Sequence, residues 1–253
     1  MWSRELLKDR AKAVLKVSYW KAFLVSLIIA IVGGGNHGSF NYNNNFGNRN
    51  SIHGTSWFWG QNTELFPFLI LFIVIIIIIV IFALAFRIFL GYPLEVGGRR
   101  YFVQASQNHI NLNCLGYGFD KGKYFDIVTT MLWRGFLNFL WYLLLIIPGI
   151  IKAYAYAMVP YILADNPNIG YKRAVELSID MTEGEKMDMF VLDLSFIGWY
   201  LLGTLLLLVG VLFVMPYENT TKAELYLVLR QNALERGLCS CEELKLTQPL
   251  KTL

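Results

Sequence analysis

Residues Leu65–Leu90 form a 26-residue stretch in which Arg87 is the single ionisable side chain, with Ile73-Val74-Ile75-Ile76-Ile77-Ile78-Ile79-Val80-Ile81 at its centre. At 1.5 Å per residue a helix of this length reaches ~39 Å, enough to cross a hydrocarbon core of ~30 Å with some tilt. β-Branched residues are mediocre helix formers in water, but lipid offers no partner to a bare backbone, so helix wins there. The run therefore sets the solvent in which the rest of the chain must be read. Composition agrees: 56% of the 253 residues are hydrophobic and only 16% are charged, where a soluble domain carries roughly 25% charged residues.

The remaining crossings follow from apolar runs, breakers and the placement of Lys and Arg. Residues 1–18 carry Arg4, Lys8, Arg10, Lys12 and Lys16 among apolar residues. Trp2, Leu6, Ala13 and Val17 share a helical face, which predicts an amphipathic helix on the cytoplasmic membrane surface, its basic face towards anionic headgroups. The alternative is a plain basic flank that only sets orientation. The first crossing, Ala22 to about Val32, ends at Gly33-Gly34-Gly35. Residues 36–64 are rich in Asn, Gly and Ser and read as an outer polar loop. After the Leu65–Leu90 crossing, Gly91-Tyr92-Pro93 is expected to break the helix and Arg99-Arg100 to mark the cytoplasmic side.

Asn108–Lys123 reads as a polar loop, and a third crossing from about Tyr124 to Ile147 turns at Pro148-Gly149. The fourth returns over Ile150–Leu163. A second surface helix is expected over 169–183, capped by Asn168 and Gly184, with Ala174, Leu177 and Met181 as its apolar stripe. Met187–Pro216 is too long for one comfortable span, so it reads as a fifth crossing to about Leu208, a turn at Val209-Gly210, and the start of a sixth reaching about Leu229. The expectation is an all-α, polytopic transmembrane helical bundle over 1–230, with about six crossings and two interfacial amphipathic helices, followed by a cytoplasmic tail, 231–253. Both termini fall on the cytoplasmic side of the cell membrane.

The sixth crossing passes through Glu218, Asn219, Thr220, Thr221, Lys222 and Glu224. Such groups are tolerated at membrane depth where they face a bundle interior or a wet cavity. The candidate polar interior is Arg134 and Asn138 on crossing three, Lys152 on crossing four, Asp193 on crossing five, and Glu218 with Lys222 on crossing six. Depths counted from the cytoplasmic side suggest that Arg134 pairs with Asp193 and Glu218 with Lys152. The functional reading is a polar pathway or headgroup pocket; the structural reading is a set of ion pairs that fixes helix register.

Catalytic constellations are missing. His37, His53 and His109 are scattered, with no His-Glu-x-x-His, no Gly-x-Ser-x-Gly and no phosphate loop ending in Lys-Ser or Lys-Thr. Cys114, Cys239 and Cys241 are too few and too unevenly spaced for a disulfide framework. No cofactor, metal or nucleic acid is implied; the expected partners are the lipid bilayer, other membrane proteins or a lipid headgroup.

Pro148-Gly149-Ile150-Ile151-Lys152, Pro160-Tyr161-Ile162-Leu163, Asp165-Asn166-Pro167 and Leu194-Ser195-Phe196-Ile197-Gly198-Trp199 together resemble a bacterial integral-membrane family, domain of unknown function 975. Ala174, Ser178, Met181, Gly184, Lys186 and Pro216-Tyr217 fit the same pattern. The resemblance implies a multi-pass helical architecture; the family has no established activity, so no functional residue carries over. Ser178, Thr182 and Gly184 also resemble, more distantly, the membrane domain of some glycerophosphodiester phosphodiesterases, whose catalytic barrel has no counterpart here.

The function classes left standing are a non-catalytic scaffold or regulator of envelope proteins and a binder or transporter of a small solute or lipid.

Overall fold

The computed structural model describes residues 2–32, 65–205 and 209–246, and all regular structure among them is helical. The outer loop expected at 36–64, with His37 and His53, and the end of the tail lie outside the described residues. Among the described residues, five helices are long and apolar enough to cross a membrane: Arg4–Ala30, Phe68–Ser106, Tyr124–Leu144, Ile146–Asp165 and Lys186–Thr204. The expected sixth is a long helix too, but its polar run keeps it out of that set.

Helix α1 (Arg4–Val32) is two helical segments joined across a kink at Ser18, whose backbone is non-helical (φ −130°, ψ 19°). The bend has a local cause, since Ser18 Oγ donates to the Val14 carbonyl at 3.0 Å and back-bonding of this kind tilts a helix. Leu7, Ala11, Leu15, Ser18, Ala22, Val25 and Ile29 are buried, a stripe at spacings of three and four that seats α1 against the rest of the bundle. The kink falls where the expected surface helix, 1–18, gives way to the first crossing. Of the face expected towards the membrane, Leu6, Ala13 and Val17 point away from the bundle and Trp2 is half-buried; the stripe that packs on the bundle is a second apolar face.

Helix α2 (Leu65–Phe86) continues through a π-helical turn, Arg87–Gly91, into α3 (Tyr92–Ser106). Pro93 therefore does not end the helix. The wide turn absorbs the missing N–H, and the Phe89 carbonyl, which an α-helix would pair with residue 93, accepts from the Tyr124 hydroxyl at 3.0 Å. The two halves differ completely. Apart from Ala85 and Ile88, which are half-buried, residues 68–90 are exposed, whereas α3 buries ten residues. The Asn108–Lys123 segment is no free loop. Its 3₁₀ turn, Leu112–Phe119, lies on α3 so closely that a Cβ on Gly97 would stand 2.5 Å from the Leu115 carbonyl oxygen.

α4 (Tyr124–Leu144) and α5 (Ile146–Ala155) form a hairpin whose break is Leu145 (φ −160°, ψ 144°). The turn thus comes three residues before Pro148. Proline sits in the first turn of α5, where N–H groups have no helical partner, so it starts the second helix. The return path is interrupted at 156–158 before α6 (Val159–Asp165), which carries Pro160 in its first turn.

α7 (Tyr171–Met181) packs on α4, α6 and α9 with Ala174, Leu177 and Met181 buried. It is preceded by Gly170 (φ 89°), so Asn168 is not its cap. Asn168 donates instead to the Gly122 carbonyl and to Asp126.

α8 (Lys186–Leu205) and α9 (Val209–Glu235) form the last hairpin. A Cβ on Gly210 would stand 2.7 Å from Gly203 Cα, so the two backbones touch there. α9 runs on past 230 and ends at Gly237, whose positive φ of 69° closes a Schellman turn with Leu238 N–H on the Ala233 carbonyl. The segment after it packs back with Leu244 buried.

Candidate functional site

The interior of the bundle is built around α9. Glu218, Asn219, Thr220, Thr221, Glu224 and Arg230 are all buried. Thr220 and Thr221 return their hydroxyls to carbonyls one turn back, at 2.7 and 2.8 Å. The charged members reach outward to neighbouring helices.

Lys222 is the hub. Its Nζ lies 2.8 Å from Glu218 Oε1 and 3.2 Å from Asp193 Oδ1 on α8. Tyr154 on α5 donates to Asp193 Oδ2 at 3.1 Å, and Tyr200 on α8 donates to Glu218 Oε2. Two carboxylates, one ammonium and two phenols thus form a continuous chain across three helices. Beside it, Arg99 on α3 donates to Asn219 Oδ1 at 2.7 Å and to the Tyr161 hydroxyl at 3.2 Å, while Asn219 Nδ2 donates to Ser26 on α1 at 3.0 Å. Tyr161 stacks on Tyr226, whose hydroxyl donates to Asp165 at 2.7 Å, and Arg230 closes the row on the same carboxylate at 2.6 Å.

The expected pairings are corrected. Arg134 faces Glu95 on α3, 3.9 Å away, and not Asp193. Glu218 and Lys152 do not meet, because Lys152 lies over the Trp141 ring at 5.0 Å within the α4–α5 hairpin. Asn138 Oδ1 is enclosed and makes no hydrogen bond. Counting depth along separate helices fixes height but not which way a side chain points around each axis, and azimuth decided both cases.

Glu95, Arg99, Tyr154, Tyr161 and Tyr200 belong to the network and were not expected there. Glu95 and Arg99 stand at i,i+4; that spacing would have placed them on one helical face had Pro93 not been read as a break. With them, three cations (Arg99, Arg134, Lys222) lie among three anions (Glu95, Asp193, Glu218), and Arg230 with Asp165 and the buried Glu224 add to the interior charge.

The second polar feature is the gap between α5 and α6. A broken helix inside a bundle leaves backbone groups that must find partners. Ser178 on α7 serves both sides: its hydroxyl donates to the Ala155 carbonyl at 2.7 Å and accepts from the Met158 N–H at 3.2 Å. Thr182, one turn further, also reaches the Ala155 carbonyl, at 3.4 Å. These two hydroxyls were noticed only as part of a family pattern.

α7 is in turn clamped from outside. Arg173 Nε lies 2.6 Å from Glu243 Oε1, and its Nη2 donates to the Leu238 carbonyl at 2.7 Å. Asn166 donates to the Glu243 carbonyl at 2.8 Å. The hydrogen bond from Arg173 holds the Glu243 carboxyl below its ordinary pKa, and burial pushes the Cys239 thiol up to about 11, which keeps it protonated. Among the described residues no group of three or more His, Cys, Asp or Glu could hold a metal ion. A cleft of about 320 Å³ lies elsewhere, between the α7–α8 turn (Met181, Glu185) and the end of α9 (Leu229, Asn232, Arg236).

A family described as "Protein of unknown function (DUF975)" matches residues 62–233, well over half of the chain, and the protein belongs to it. No curated protein and no solved structure matches. The likeness to the membrane domain of glycerophosphodiester phosphodiesterases is accordingly not shown.

Proposed function

We propose that this is a multi-pass protein of a cell membrane, with both termini on the cytoplasmic side, that acts as a non-catalytic scaffold or regulator of other envelope proteins. The observation that carries the reading is the mutual pairing of the interior charges. A transport pathway or a headgroup pocket keeps polar groups available for a ligand. Here Lys222 is held by both Asp193 and Glu218, Arg134 by Glu95, and Arg99 by Asn219 and Tyr161.

The α5–α6 gap favours the second reading, a solute or lipid binder, because interrupted helices line binding sites in many transporters. Its freed backbone groups are already bonded to Ser178, however, and so it weighs less than the paired charges.

Glu218→Gln discriminates. A scaffold loses thermal stability and keeps any stoichiometric protein partner that co-purifies with it. Ordered lipid or solute beside Glu218, with an affinity that changes in Glu218→Gln, would replace this proposal with the second reading. Orientation has its own test. A thiol reagent outside intact cells should label Asn50→Cys and miss the exposed native Cys241; labelling of both would mean an odd number of crossings, and labelling of Cys241 with Asn50→Cys protected would reverse the topology.

A further inference from the structure

Helix α1 carries two apolar faces, and the bundle uses one. The unused face is Leu6, Ala13, Val17, Trp20 and Leu24, which fall within an arc of ~60° at about 100° per residue before the bend at Ser18 is allowed for. Val17 is 79% exposed and Trp20 73%, and both Leu6 and Leu24 are exposed as well. On the same projection the buried stripe through Leu7, Ala11 and Leu15 lies nearly opposite.

Lysines border the free stripe on both sides. Lys12 and Lys16 flank one edge and Lys21 the other, and all three are exposed. The acidic residues nearby are Glu5 and Asp9, and Asp9 is held by Lys12 at 3.0 Å. An exposed Val and Trp are unfavourable in water, and ammonium groups are costly in hydrocarbon. One location satisfies both: the boundary of a leaflet, with the apolar stripe in the acyl region and the lysine stems reaching up to the headgroups. We propose that this outward face of α1 is a binding surface for anionic phospholipid, with Lys16 and Lys21 taking the headgroup charge and Val17 and Trp20 the acyl boundary. The proposal rests on the membrane reading above and is independent of whether the protein is a scaffold or a binder at its interior.

The delipidated full-length protein would be titrated with phosphatidylglycerol or phosphatidylcholine of identical acyl chains, counting bound lipid by native mass spectrometry. Phosphatidylglycerol should bind in preference. Lys16→Gln combined with Lys21→Gln should lower its affinity roughly tenfold or more, at about fivefold per basic residue. Phosphatidylcholine binding and the melting temperature should stay unchanged. Lys121→Gln with Lys172→Gln removes the same charge from exposed positions elsewhere and should have little effect. Equal loss in that control, or no preference for the anionic lipid, overturns the proposal. A lipid-independent dimer dispersed by Trp20→Gln would also overturn it, by making a second copy the occupant. Lys21→Gln alone gives the same readout in a minimally altered protein.

Discussion

Helices α2 and α9 are both long, and they meet opposite surroundings. Across α2 the residues Phe68–Ala83 are exposed without exception, and they are apolar all round. From Pro216 to Leu229, α9 is buried at most positions and carries Glu218, Asn219, Thr220, Thr221, Lys222 and Glu224. In water the polar helix would face out and the apolar one in. The inversion is what the proposed bilayer setting would produce: apolar surface needs no protein cover there, and the interior becomes the refuge for charge. It also explains why hydropathy finds α2 at once and passes over α9. α2 should then tolerate any apolar sequence, while α9 should depend on individual atoms.

Four measurements would break or sharpen that contrast. The largest effect belongs to Lys222→Ala, which leaves the buried Glu218 and the half-buried Asp193 without their shared cation. Removing one member of such a set costs about 3–5 kcal/mol, read as a lowered unfolding midpoint in detergent; a wild-type midpoint would mean that the network is wet. Next is Ser178→Ala, which strands the Met158 N–H and leaves the Ala155 carbonyl only the long bond from Thr182. Unsatisfied buried groups cost roughly 1–3 kcal/mol, and amide exchange should quicken at 156–159 before the rest of the bundle.

A smaller effect comes from pH. Glu243 has a depressed pKa in the fold, so its clamp on Arg173 is fully present above about 4.5, the ordinary value, and is lost as pH falls through the lower folded value. A partly exposed pair of this kind contributes about 0–1 kcal/mol. Limited acid proteolysis should therefore cut 238–246 once the pH falls well below 4.5 and spare it at neutrality, a difference that Glu243→Gln should abolish. The smallest effect is expected in α2. Ile76→Leu, Ile77→Leu and Ile78→Leu together should change stability by less than about 0.5 kcal/mol, and a cooperative loss would reveal that α2 packs on protein.

The gross architecture could be read before any coordinates because it depends on run lengths and breakers. The α8–α9 hairpin came from the impossibility of fitting 187–216 into one span, and α7 from a stripe of Ala174, Leu177 and Met181. Local geometry was harder. Proline was read as a terminator at 93 and 148, whereas a π turn accommodates one and the first turn of α5 the other. In α1 two apolar stripes compete on one helix, and composition alone cannot rank them. The interior charges could be listed from their cost in lipid, but their partners could not. Pairing depends on the rotation of each helix about its own axis, which no count of residues contains.

The close contact of Gly203 with Gly210 bears on how the protein is made. The hairpin it closes contains Asp193, Glu218, Lys222 and Tyr200, so Lys222 finds both of its carboxylates, and Glu218 its phenol, within α8 and α9. On the proposed membrane reading, α8 and α9 can enter the bilayer with Lys222 already bridged to both carboxylates. Arg99 is in a different position, since its partner Asn219 lies 120 residues away. An arginine on α3 must wait both for α6, which brings Tyr161, and for α9, which brings Asn219. On the same reading, a translocation machine meets one hairpin that carries its own ion pairs and one earlier segment whose arginine needs sheltering until α9 has been made.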